Sequence, residues 1–184
     1  MPCAGTPASV VITTPNGGIY TLTATPDFTG GNTTICYTLS NDSPEGTQAS
    51  GVSHIDIALC PELTCPAPPP GGPFEACCAA IPPFTITDNG NTIPTCGPGV
   101  MGDCVEFPVP VPTAAGTNCG FRINFDPSIE IGESRTFCIN FSGILTVVPA
   151  PFRLVTGEGS VSEDANCLVL SISCVAPTTT TTTT

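Results

Sequence analysis

The stretch Cys119-Gly-Phe-Arg-Ile-Asn-Phe-Asp126 decides how this chain folds. Phe121, Ile123 and Phe125 fall on one side of an extended backbone, and Arg122, Asn124 and Asp126 on the other, because successive strand side chains alternate. Phe137, Ile139 and Phe141 repeat the pattern, and so do Leu168, Leu170 and Ile172 against Val169, Ser171 and Ser173. A period of two marks half-buried strands of an antiparallel sheet.

Working outward, the same reading predicts short strands at Ser9–Thr13, Ile19–Thr25, Thr33–Ser40, Ser53–Leu59, Phe84–Thr87, Phe121–Asp126, Arg135–Phe141, Ile144–Val148, Phe152–Thr156 and Asn166–Val175. Turn signals separate them: Pro15-Asn-Gly-Gly18, Gly30-Gly-Asn32, Asp88-Asn-Gly-Asn91, Gly97-Pro-Gly99 and Gly157-Glu-Gly159. With 22 prolines and 19 glycines no stretch supports a long helix. The expected fold is all-β, an antiparallel β-sandwich or jelly roll, with a proline-rich, disulfide-held loop and extended termini. Residues 1–14 read as an N-terminal arm for assembly and residues 15–176 as one sandwich domain. Residues 61–83 form a proline-rich insertion that carries cysteines, and residues 177–184 a threonine tail, solvated or O-glycosylated.

The 184 residues suffice for one ordinary domain. Three arginines and no lysine stand against fifteen carboxylates, a formal charge of −12. That balance excludes nucleic acid and acidic membrane surfaces as partners, since both require basic patches. The mean hydropathy of +0.29 with 10% charged residues excludes disorder for most of the chain. No run of 18 apolar residues exists, so no membrane span is expected. The N-terminus shows neither a basic n-region nor an apolar h-region, so a signal peptide is not expected either.

Twelve cysteines, at positions 3, 36, 60, 65, 77, 78, 96, 104, 119, 138, 167 and 174, are spread along the chain. Zinc sites favour closely spaced cysteine pairs, and only Cys60 and Cys65 come near that spacing, so disulfides and an oxidising, extracellular compartment are expected. Neighbouring Cys77 and Cys78 should enter separate bridges, and Cys96 and Cys104 could staple a hairpin. Cys167 and Cys174, seven apart on one strand, cannot pair with each other. Cys3, Cys77 and Cys78 are the candidates for bridges to a neighbouring copy.

Chemistry finds little material. One histidine, His54, lies between Ser53 and Asp56, but on a regular strand Ser53 points away from it, so no triad converges. Glu163-Asp164 and the Glu130/Glu133 pair sit in turns, and without tryptophan no sugar platform supports a glycosidase. Asp88-Asn-Gly-Asn91 opens like a calcium loop, but its twelfth position is Gly99, which makes a turn the better reading. No catalytic, cofactor or metal residue is assigned, and the chain is read as a non-enzyme without cofactor. Asn32, Asn41 and Asn140 stand in glycosylation sequons, and Thr178, Thr179, Thr180, Thr181, Thr182, Thr183 and Thr184 are O-glycosylation candidates.

Gly51-Val-Ser-His-Ile-Asp-Ile-Ala-Leu-Cys60, Cys119–Asp126 and Gly132-Glu-Ser-Arg-Thr-Phe-Cys-Ile-Asn-Phe141 together resemble bacterial extracellular β-sandwich surface domains. There a Ser-His-Ile/Val sequence opens a strand, and a Gly-Glu-Ser turn precedes an alternating Thr-Phe strand. The resemblance spans residues 51–175, and the chain departs from it in its proline-rich insertion and extra cysteines. It implies a cell-surface sandwich and carries over no catalytic residue. In habit, the cysteine richness with Met1 at the start resembles the self-assembling, disulfide-linked appendage proteins of bacterial spores. The expected function is therefore a structural subunit of a self-assembling extracellular fibre, appendage or surface layer, whose partner is its own copy. The alternative is a monomeric secreted adhesin-like or carbohydrate-binding module.

Overall fold

Alternation along the chain becomes two stacked antiparallel sheets. The structure is a computed structural model and describes residues 3–65, 78–113, 116–157 and 167–175. In chain order the strands are β1 (Cys3–Thr6), β2 (Ser9–Thr13), β3 (Ile19–Asp27), β4 (Thr33–Asn41), β5 (Val52–Ala58), β6 (Thr64–Cys65) and β7 (Phe84–Asp88). They continue as β8 (Asn91–Thr92), β9 (Cys104–Thr113), β10 (Gly116–Ile129), β11 (Ser134–Phe141), β12 (Val147–Thr156) and β13 (Leu168–Ile172). The first sheet has the order β1-β2-β3-β4-β11-β7-β8. The second runs β13-β12-β5-β10-β6, with β9 on the other side of β10. The described residues contain no α-helix.

The predicted alternation fills the space between the sheets. Tyr20, Leu22, Ile35, Tyr37, Leu39, Phe137 and Phe141 from the first sheet meet Ile55, Ile57, Phe121, Ile123, Phe152 and Leu154 from the second, all within 2% of full burial. Each contributes on the order of 1.5–3 kcal/mol by leaving water. Tyr37 stacks on Phe137 at 5.3 Å. Its hydroxyl donates to the carbonyl of Leu170 at 2.8 Å, a pin from one sheet to the other.

Three features depart from the sequence reading. β9 is a ten-residue strand where none is expected, because Pro108, Pro110 and Pro112 argue against one. The backbone explains the exception. The Cys119 carbonyl accepts from Leu59 N at 2.8 Å, so Cys119 turns its polar groups toward β5, and its partner Pro110 turns its own away from β10. Pro112, two residues on, does likewise, so both of these missing N–H groups fall on the open rim. Second, Ile144–Val148 and Phe152–Thr156 are not two strands: β12 runs on through Pro149 and Pro151.

Third, residues 3–14 are no free arm. β1 folds back on β2, which pairs with β3, and Cys3 is bridged to Cys167 with Cα atoms 5.9 Å apart. The expected boundary between arm and sandwich is corrected accordingly. As expected, Asp88-Asn-Gly-Asn91 is a turn, the two-residue turn of a hairpin. Asn89 (φ 48°) and Gly90 (φ 81°) both take the left-handed region that a type I′ turn requires. The threonine tail and residues 66–77 of the insertion lie outside the described residues.

Candidate functional site

Two of the chain's three cations converge on one carboxylate. Asp56 on β5 is completely buried, and in register with it stand Arg122 on β10 and Arg153 on β12. Arg122 Nε donates to Asp56 Oδ1 at 2.7 Å and its Nη2 to Oδ2 at 3.1 Å. Arg153 Nε and Nη2 reach Oδ2 at 2.8 and 2.5 Å. Glu106 on β9 extends the rung, 3.8 Å from Arg122 and holding the Asn124 amide at 2.7 Å. One rung thus crosses four strands as Glu106–Arg122–Asp56–Arg153. Alternation explains it, since these residues occupy the positions that face away from the apolar core. Along the sequence Asp56 stands out only as a neighbour of His54. Arg122 and Arg153 become adjacent to it only through strand order.

His54 lies beside this rung, opposite Asn124 and Val155. Between Val155–Thr156 and their β5 partners the register shifts, and Ser53 is the extra residue of a bulge. The bulge corrects the expectation that Ser53 points away from His54, since Ser53 Oγ sits 3.3 Å from His54 Nδ1. The contact still does not activate a nucleophile. Ser53 donates its proton to the Val155 carbonyl at 3.1 Å, whereas a triad serine hands its proton to the imidazole and an acid orients the ring from the other nitrogen. Burial pushes the His54 imidazole below its ordinary 6.5, helped by Arg122 and Arg153 and opposed by Asp56 and Glu106.

A groove marks one lateral seam of the sandwich, about 430 Å³ in volume, between the β7–β8 rim and β9. Ile81, Pro83, Phe84, Ile93, Val105 and Phe107 are among its walls. Phe84 and Phe107 meet edge to face at 4.9 Å, with Phe107 40% exposed. The opposite seam is sealed: Cys3–Cys167 ties the two sheets there, and Leu170 N donates to Pro7 O at 2.9 Å.

The cysteines behave as a disulfide framework. Within the chain Cys3 pairs with Cys167, Cys36 with Cys138, Cys60 with Cys174, Cys78 with Cys119 and Cys96 with Cys104. Cys65 is also disulfide-bonded, and Cys77 lies outside the described residues. The expectation that Cys3 and Cys78 bridge neighbouring copies is therefore corrected: folding brings each within bonding distance of an internal partner. Cys60 offers no zinc ligand, its sulfur being bonded to Cys174, while the nearby Glu62 carboxylate accepts from Ser173 Oγ at 2.8 Å and from the backbone of Cys174 and Val175.

Of the sequons, Asn41 is fully buried, with Nδ2 donating to Ile129 O at 3.2 Å and Oδ1 accepting from Ser43 Oγ at 2.6 Å. It is withdrawn as a glycan site on the folded chain. The Asn140 amide is engaged with Thr85, Thr87 and Cys138. Asn32 is exposed. Thr178 to Thr184, Glu163 and Asp164 lie outside the described residues. Glu133 accepts from the Glu130 backbone at 3.1 Å, as expected of a turn.

No family model matches the chain, no curated protein is significantly similar to it, and no solved structure matches it. The five bridges suit a secreted or extracellular protein, and no helix among the described residues is long and apolar enough to cross a membrane.

Proposed function

We propose that this protein is a non-enzymatic structural subunit of an extracellular assembly, a fibre, appendage or surface layer on a bacterial cell or spore, in which copies of the chain join one another. The observation that carries the reading is the contrast between the seams. One is closed by the chain's own bridge and hydrogen bonds, while the other leaves Phe84 and Phe107 at the mouth of an apolar groove. Such a groove between sheet rims accepts an apolar segment of a neighbour, and a head-to-tail contact that does not close on itself propagates as a filament. The disulfides stiffen the subunit from within.

Negative-stain microscopy of the oxidised protein tests this directly. Wild type should form ordered polymers that run as a single monomer band on a non-reducing denaturing gel. Phe107→Asp should remain folded and monodisperse. Dispersed wild-type particles at high concentration would reject the proposal. The second reading, a monomeric secreted binding module, draws support from one feature, the hydroxyl-rich outer face of the first sheet, whose strands carry Asp27 as their one outward charge.

A further inference from the structure

The chain between Cys96 and Cys104 forms a stapled stalk. The two cysteines are bridged with Cα atoms 4.9 Å apart. Beside the bridge Cys96 N donates to Val105 O and Val105 N to Pro94 O, each at 2.8 Å. Beyond it Gly97-Pro-Gly-Val100 makes a type II turn: Val100 N donates to Gly97 O at 3.2 Å, and Gly99 takes φ 83° at the third position, after Pro98. A Cβ built on Gly97, Gly99 or Gly102 would meet nothing beyond its chain neighbours within 4 Å, so the loop stands clear of the body. At its tip Met101 is 89% exposed, the most exposed of the large apolar side chains described, with Val100 next to it.

Charge narrows what the stalk can meet. Copies of a chain of formal charge −12 repel one another, so contact between them is favoured where neither side carries charge. Gly97 to Gly102 contains no charged residue. Among the described residues, none that lines the apolar groove beside β9 is charged either. Phe84 and Phe107 offer that groove's rings, against which a thioether packs favourably. Other exposed apolar side chains fit less well. Val11 and Leu168 sit within β2 and β13, without a stalk to carry them inward. Phe28 and Ile144 lie in the loops beside the Thr33–Phe141 pair, at the groove's own end, since Phe84 pairs with Phe141.

Stalk and aromatic wall lie toward opposite ends of the sandwich. Asp103, where the loop returns, is 4.0 Å from Arg135 near the start of β11, whereas Phe84 pairs with Phe141 at the end of that strand. Arg135 and Phe141 are about 20 Å apart at about 3.3 Å per residue. We propose that Met101 of one copy seats in the apolar groove of the next, against Phe84 and Phe107. The inference rests on the assembly reading above and names the segment that fills the groove. A stalk at one end and a socket at the other make a heterologous contact, which repeats from copy to copy. The staple holds the loop in its docked shape beforehand, which cuts the entropy lost on binding.

Two half-blocked variants test this at a concentration where the oxidised wild type polymerises. Met101→Asp keeps its groove and loses its stalk, while Phe107→Asp keeps its stalk and loses its groove. Each alone should sediment as a monomer with an unchanged circular dichroism spectrum. Their equimolar mixture should give a 1:1 dimer and no polymer. Met101→Leu should polymerise as wild type does, and so should Val11→Thr, on the outer face of β2. Photoactivatable methionine gives a readout that needs no substitution, since the chain carries methionine only at positions 1 and 101. Between isotopically distinct copies, cross-links from position 101 should fall on peptides containing Phe84 or Phe107. Polymers of Met101→Asp, a mixture that stays monomeric, or cross-links from position 101 to other surfaces overturn the inference and leave the assembly reading standing. Wild type that never polymerises removes both.

Discussion

The two sheets of this sandwich share one rule of alternation and diverge in what they do with the outward half of it. In the first sheet the outward residues are mostly threonine, serine and asparagine, and seven strands run without a register shift. In the second the outward residues include Asp56, Arg122 and Arg153, and pairings of β10 with β5, β10 with β9 and β12 with β5 all shift register. The outer side of the second sheet is also partly roofed: Val109 and Val111 of β9 pack with Ala58 and Ala150 in a small separate core. Irregularity thus goes with charge and cover, and regularity with an open neutral face. A neutral rung tolerates any neighbour, whereas a buried carboxylate fixes which strands may lie beside it, since each flanking position must supply a cation.

The largest effect on that contrast should come from Asp56→Ala. It strands Arg122 and Arg153 against one another, and removing one partner of a buried ion pair costs about 3–5 kcal/mol. The expected readout is a lower denaturant midpoint at unchanged slope. An unchanged midpoint would show that the rung is ornamental and that the second sheet is held as the first is.

Gly120→Ala should follow. A Cβ there would sit 2.3 Å from the Ile57 carbonyl oxygen and 2.6 Å from Val111 Cγ2, the valine that roofs it. Overpacking of this kind costs about 1–3 kcal/mol, and the loss should appear as a lower melting temperature with β9 loosened in hydrogen exchange. Equal protection of β9 in wild type and variant would separate the roof from the sheet.

The smallest effect is acidic. His54 is a base whose folded-state pKa is lowered, so the native state binds fewer protons than the unfolded chain once pH falls through 6.5. Stability should therefore decline as pH drops through 6.5 and below, and be unaffected by this group well above it. His54→Gln should flatten this limb of the melting-temperature profile. A slope that persists unchanged would assign it to the carboxylates instead.

Much of this architecture is legible from Phe121, Ile123 and Phe125 alone, because a period of two leaves one solution for where apolar side chains go. The β9 strand was hidden because prolines oppose strands on average, and only the strand order shows that Pro110 and Pro112 face an open rim. The bulge at Ser53 has no local signature, as it exists only in the pairing of β5 with β12. Cys96–Cys104 was foreseeable from an eight-residue separation, whereas Cys3–Cys167 spans 164 residues and depends on topology. The hydroxyl-rich outer face of the first sheet was foreshadowed by Thr21-Leu-Thr-Ala-Thr25, but five strands had to align before it became a surface.

Pro110 and Pro112 have a consequence for how the molecule meets others like it. A margin that can accept hydrogen bonds but never return them gives an incoming strand nothing to zip onto, so runaway cross-β growth is foreclosed on that flank. Whatever order these molecules reach together must be written in side chains there, not in main chain.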